Sequence, residues 1–135
     1  MPISSAGGTQ PHLVARDALV ELGYSVGEAE QALAAVDPAS GAVRFQRAWR
    51  ARANASVNAA TPVVVDNLIF ISAEYGPGAA VLRLDGSTLT EVWSSNDVLS
   101  NHYATSVYTD GVLYGFHGRQ EFGQRLRAVD FRTGR

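Results

Sequence analysis

With 135 residues, 46% of them apolar and 18% charged, the chain has the length and composition of one globular domain and is too apolar for a disordered one. A formal charge of −2 supplies no field that would gather nucleic acid or anionic membrane. The absence of cysteine excludes disulfides, thiol chemistry and thiolate metal sites, and no apolar run reaches the ~20 residues that span a bilayer.

Residues 1–12 read as a flexible polar leader without the basic start and apolar stretch of a secretory signal. The location expected of the chain as written is cytoplasmic; a periplasmic or other extracytoplasmic one is expected if it is a fragment of a longer parent. Residues 13–36 predict a helical hairpin. Leu19 and Leu22 share a face, Gly23 is a natural stop, and Ser25 with Glu28 forms a capping box opening a helix over Val26–Val36. Leu33-Ala-Ala-Val36 also serves as a strand running into the turn that follows, and both readings stand at this point.

From Asp37 onward the period is two. Asp37-Pro-Ala-Ser-Gly41 is turn chemistry, and Val43-Arg-Phe45 is a short strand. Thr61–Val65 and Leu68–Ser72 form a hairpin about Asp66-Asn67, and Ala80–Leu84 pairs with Leu89–Trp93 across residues 85–88. The pattern then returns: Ala104–Thr109, the turn Asp110-Gly111, Val112–Phe116, Arg125–Asp130 and the turn 131–134.

This return is a repeat of about 44 residues, with Asp66 falling on Asp110 and Phe70 on Tyr114. Short alternating strands at a period of about 40–50 residues mark β-propeller blades. The predicted fold is mainly β: a partial β-propeller of about two four-stranded antiparallel blades behind a short helical hairpin. Its units run over residues 37–60 (partial), 61–104 and 105–135.

Leu126-Arg-Ala-Val-Asp130 with Thr133-Gly134 resembles the repeat of the pyrroloquinoline-quinone-dehydrogenase-like (quinoprotein-like) β-propellers. Leu82-Arg-Leu-Asp85 with Trp93 is a degenerate copy, and Asp37-Pro-Ala-Ser-Gly41 resembles the tail of a third. The resemblance spans residues 37–135. It implies pyrroloquinoline quinone only for a complete propeller with a bound cation and a catalytic carboxylate, so no cofactor is expected for this chain. Residues 15–36 are similar to the first two helices of ubiquitin-associated-like domains, such as that of the Holliday-junction branch-migration subunit, which contacts its motor partner.

No nucleophile motif, carboxylate pair or metal-ligand spacing is visible, so no catalytic or metal-binding residue is assigned. Loops at blade ends carry a propeller's binding residues. The ligand-binding candidates are therefore His102 and Tyr103, in the loop entering one blade, and His117, Arg119, Gln120 and Glu121, which follow a strand. The alternative is that these groups hold loops together. The cluster Arg44, Arg47, Arg50 and Arg52 with Trp49 is read as a blade surface or a set of acid-paired residues, not a nucleic-acid patch.

Apolar blade faces carrying Val63, Val65, Ile69, Ile71, Val81, Leu82 and Leu84 are expected to stay open in a fragment. They would take further blades, protein partners or a second copy. The functional expectation is a binding or interaction scaffold that is not self-sufficient in catalysis. The alternatives are part of a quinone-dependent dehydrogenase, a helical partner-binding module of DNA-recombination type fused to propeller repeats, and a chimera.

Overall fold

The computed structural model describes residues 32–49 and 58–135, in two compact units, Met1–Ala48 and Trp49–Arg135. In the first unit, β1 (Ala32–Val36) pairs antiparallel with β2 (Val43–Ala48), with a bulge at Ala35/Val36. This corrects the end of the predicted second helix: Ala32–Val36 is a strand. Alanine favours helix, but intrinsic propensity is a weak prior that pairing overrides: the alternation buries Ala34 and Val36 and the backbone is satisfied by β2. The rest of the predicted helical hairpin, residues 13–31, lies outside the described residues, as do the leader, Arg50 and Arg52.

The turn closing this hairpin is built around Asp37. Its carboxylate Oδ1 accepts from the N–H groups of Ala39 (3.0 Å) and Ser40 (3.1 Å), its carbonyl accepts from Gly41, and its N–H donates to Ala42 O. Arg44 pairs with Oδ2 at 2.6 Å, and these bonds to the charged form hold Asp37 down to about 2. The turn after Asp130 is the same object. Oδ1 accepts from the N–H of Arg132 (3.1 Å) and of Thr133 (2.8 Å), the carbonyl accepts from Gly134, and the N–H donates to Arg135 O. Gly41 and Gly134 take φ of 72° and 70°, the left-handed conformation that glycine adopts without strain.

The second unit holds a four-stranded meander, β3 (Val63–Val65), β4 (Leu68–Ala73), β5 (Gly78–Asp85) and β6 (Thr88–Ser95). A three-stranded one follows: β7 (Val107–Thr109), β8 (Val112–His117) and β9 (Arg125–Asp130). All neighbours are antiparallel. The repeat read in the sequence is therefore a repeat of structure. Asp66 and Asp110 both take positive φ in the first turn. The Asn67 carbonyl accepts from Leu84 N–H as the Gly111 carbonyl accepts from Phe131 N–H, both at 2.8 Å. Thr61 N–H even donates to the hydroxyl of Thr105, its own repeat counterpart, at 2.9 Å.

The sheets pack through one face each. Leu68, Phe70, Ala79 and Val81 of the four-stranded sheet meet Leu113 and Val129 of the three-stranded one, with Leu99 and Phe131 completing the buried cluster. Burial of a side chain of this size contributes about 1.5–3 kcal/mol. Trp93 closes the junction: its Nε1–H donates to Phe131 O at 2.9 Å, and its ring lies over Gly134, where a Cβ would fall 2.6 Å from the indole.

The faces differ from the expectation of open ones. Ile69, Ile71, Val81 and Leu82 are buried and Val63, Val65 and Leu84 partly so. Four of the exposed apolar residues, Val107, Tyr114, Phe116 and Leu126, are placed together by strand alternation and register on the outer face of the three-stranded sheet.

Candidate functional site

The loop from Asn96 to Ser106 crosses between the two sheets and is tied to both. Ser72 of β4 donates its hydroxyl to Leu99 O at 2.6 Å and accepts from Asn101 N–H at 2.8 Å, and Glu74 N–H donates to Asn101 O. On the other side, Asn101 Nδ2 donates to Phe116 O and its Oδ1 accepts from Ser106 Oγ at 3.0 Å. Arg127 of β9 donates to the carbonyls of Asp97 and Val98. Asn101 is 1% exposed with its side-chain amide bonded at both ends, and a satisfied buried network of this kind fixes a loop's geometry. Gly115 is required beside it, since a Cβ there would fall 2.2 Å from Ser106 Oγ.

That framework fixes His102, which is 1% exposed. Its Nδ1 accepts from Gln120 N–H at 3.2 Å, so the neutral ring carries its proton on Nε2 and donates to Tyr75 Oη at 2.8 Å. The Glu121 carboxylate stands 3.7 Å from Nδ1. Tyr103 stacks on His102 with ring centroids 3.8 Å apart, and Tyr75 meets His102 edge-on at 5.3 Å. The Arg119 guanidinium lies 4.0 Å over the Tyr75 ring and 5.8 Å from Phe122, with Nε 3.9 Å from Glu74. Partial desolvation and the Glu121 carboxylate raise the Tyr75 hydroxyl above its ordinary value, keeping it protonated.

Three loops thus converge at one end of the second unit: the β4–β5 turn with Tyr75, the crossover with His102 and Tyr103, and the β8–β9 connection with Arg119 to Phe122. They form one continuous stack, Tyr103–His102–Tyr75–Arg119–Phe122. Its ends face solvent, Tyr103 at 52% and Phe122 at 80% exposed. The short 3₁₀ turn Gln120–Phe122 presents the Phe122 end. Tyr75 reaches its place with φ at +71°, a conformation a tyrosine seldom adopts. Backbone strain of this kind is worth about 1–3 kcal/mol and collects at functional sites.

Of the six residues singled out in the sequence, five meet here: His102, Tyr103, Arg119, Gln120 through its backbone N–H, and Glu121. His117 does other work. Its Nδ1 accepts from Ser100 N–H at 3.0 Å, and burial followed by the Arg127 charge holds it below the ordinary imidazole value. Both histidines thus accept a backbone N–H, the loop-holding alternative raised for them. Sequence reasoning missed Tyr75, Glu74 and Phe122. The signal available was an aromatic side chain directly before Gly76-Pro77-Gly78, a turn with no core to fill. Arg44 pairs with an acid, as one reading of the basic cluster held.

A search of curated proteins gives no match. Residues 7–135 match the family model described as outer membrane protein assembly factor BamB, a PQQ-type repeat model. With repeated turns, repeated backbone bonds and stacked antiparallel sheets agreeing with that match, the chain belongs to this PQQ-like β-propeller repeat family.

Proposed function

We propose that the chain serves as a protein-binding scaffold, presenting the loop-end stack on a base of packed repeats and performing no chemistry by itself. The convergence of Tyr103, His102, Tyr75, Arg119 and Phe122 carries this reading. Tyrosine and arginine dominate the energetics of protein interfaces, and here exposed rings rest on a buried, fully bonded foundation. The family description, an assembly factor for outer-membrane proteins, supports a protein partner and an extracytoplasmic setting over the cytoplasmic one.

The outer face of the three-stranded sheet supports the scaffold reading. By the repeat, Val112 and Tyr114 stand where Leu68 and Phe70 stand in the preceding sheet, and those are covered by the next sheet. The same geometry reapplied would seat a further repeat head to tail. No quinone role is proposed for the loop cluster, whose groups stack on one another at 3.8 and 4.0 Å.

The test is site-specific photo-crosslinking of the full chain in its host, with the crosslinker at Phe122 and, as control, at exposed Thr88. The reading predicts one outer-membrane assembly protein captured from Phe122 and not from Thr88. Equal, diffuse labelling from both positions overturns it.

A further inference from the structure

We infer that the loop-end stack recognises a carboxylate carried on an extended peptide beside an apolar side chain, with Arg119 as the reading group. The inference rests on the binding role proposed above and deepens it. Arg119 is held as a receptor arginine is held. Its plane is backed by the Tyr75 ring at 4.0 Å, its Nε is steadied by Glu74 at 3.9 Å, and its side chain keeps 35% exposure. Among the described residues its two terminal nitrogens take no hydrogen bond, so the fork that pairs with a carboxylate in two parallel bonds is free. The Tyr75 strain is spent on this backing, since the turn places the aromatic ring where glycine would sit at ease.

The neighbours set what accompanies the carboxylate. Phe122, 80% exposed and 5.8 Å from the guanidinium, offers an apolar seat on one side. Next to Phe122 in the chain stands Glu121, 57% exposed, with its oxygen 3.7 Å from His102 Nδ1. That second acid makes the surface selective: it repels a peptide with acids on both sides and admits one whose single carboxylate lies next to an apolar residue. It also gives the inference a sign. Removing the Glu121 charge strengthens binding of an acidic peptide, whereas for a cationic ligand it would weaken it.

The experiment uses the full chain, ¹⁵N-labelled, and three blocked peptides: acetyl-Gly-Asp-Phe-Gly-amide and its Asn and Lys counterparts. Dissociation constants are read from the Gln120 and Phe122 amides. The Asp peptide is expected to bind at least threefold more tightly than the Asn peptide. Arg119→Lys, which keeps the charge but loses the fork and the stack, abolishes that preference; Glu121→Gln strengthens Asp-peptide binding at least twofold. A preference for the Lys peptide, weakened by Glu121→Gln, leaves the binding site standing and overturns the carboxylate. No peptide-dependent shift at residues 119–122 overturns both the carboxylate and the site.

Discussion

Gly134→Ala probes the contact that joins the two repeats. The substitution has two costs that the structure separates. The residue sits at φ +70°, where an L side chain costs about 1–2 kcal/mol. Its new Cβ would also fall 2.6 Å from Trp93 Cδ2 and 2.8 Å from Cε3, overlap with an indole fixed by its bond to Phe131 O. Overpacking of this kind costs about 1–3 kcal/mol. Gly86→Ala is the matched control, with φ +63° in the same unit and nothing within 4 Å of the built Cβ. The control is expected to lose about 1–2 kcal/mol and Gly134→Ala about 2–5 kcal/mol. In a unit of this size the difference between them, about 1–3 kcal/mol, lowers the melting temperature by on the order of 5–25 °C. Thermal and urea unfolding followed by far-UV circular dichroism measures both. In a Trp93→Leu background the extra cost of Gly134→Ala disappears, because the two sites are coupled through contact. Equal destabilisation by the two alanines, or an extra cost that survives Trp93→Leu, would refute the packing of Trp93 on the turn.

Gly115→Ala forces its Cβ within 2.2 Å of Ser106 Oγ and is expected to cost about 1–3 kcal/mol. Ser106→Gly restores part of the loss, measurable by urea midpoint. Tyr75→Gly relieves the φ +71° strain, so stability stays within about 1 kcal/mol of the parent, while peptide affinity at the loop end falls; unchanged affinity would show that the ring does not back Arg119. His117 binds a proton less readily folded than unfolded, so its contribution is present above about 6.5 and is lost as pH falls from there toward its depressed folded value. The urea midpoint should therefore drop between pH 7.5 and 5.5, and drop less in His117→Gln. Asp130 is held below 3.8 by Thr133 and the turn amides, so its contribution, present above 3.8, is lost only at more acidic pH. Asp130→Ala is expected to show a shallower acid limb than the parent.

The strands and turns were readable because they depend on local chemistry. Asp37 and Asp130 each precede a small or hydroxyl residue and a glycine at fixed offsets, and the two turns fold with the same bonds. Alternation around Asp66 and Asp110 gave the hairpins with their ends shifted by one to three residues. Ala32–Val36 stayed open between helix and strand because an alanine-rich run satisfies a helical pattern locally, and only pairing with Val43–Ala48 across the Asp37 turn decides for the strand. The site was half visible. His102, Tyr103, Arg119 and Glu121 stood out as polar and aromatic groups beside strand ends. Tyr75 comes from a turn 27 residues before His102, and nothing local indicates that the crossover loop brings the two together. The choice of open faces failed for a related reason: residues such as Ile69 and Phe116 are both apolar strand positions, and their fates depend on which sheet face meets a neighbour.

On the binding role proposed above, the ligand meets the loop end and not the apolar sheet face. A residue-by-residue map of amide shift changes on adding the Asp peptide to the full chain tests it most directly. The expected result is a set of changes gathered at residues 74–76, 101–103 and 118–123. Changes centred instead on Val107, Tyr114, Phe116 and Leu126 would contradict it.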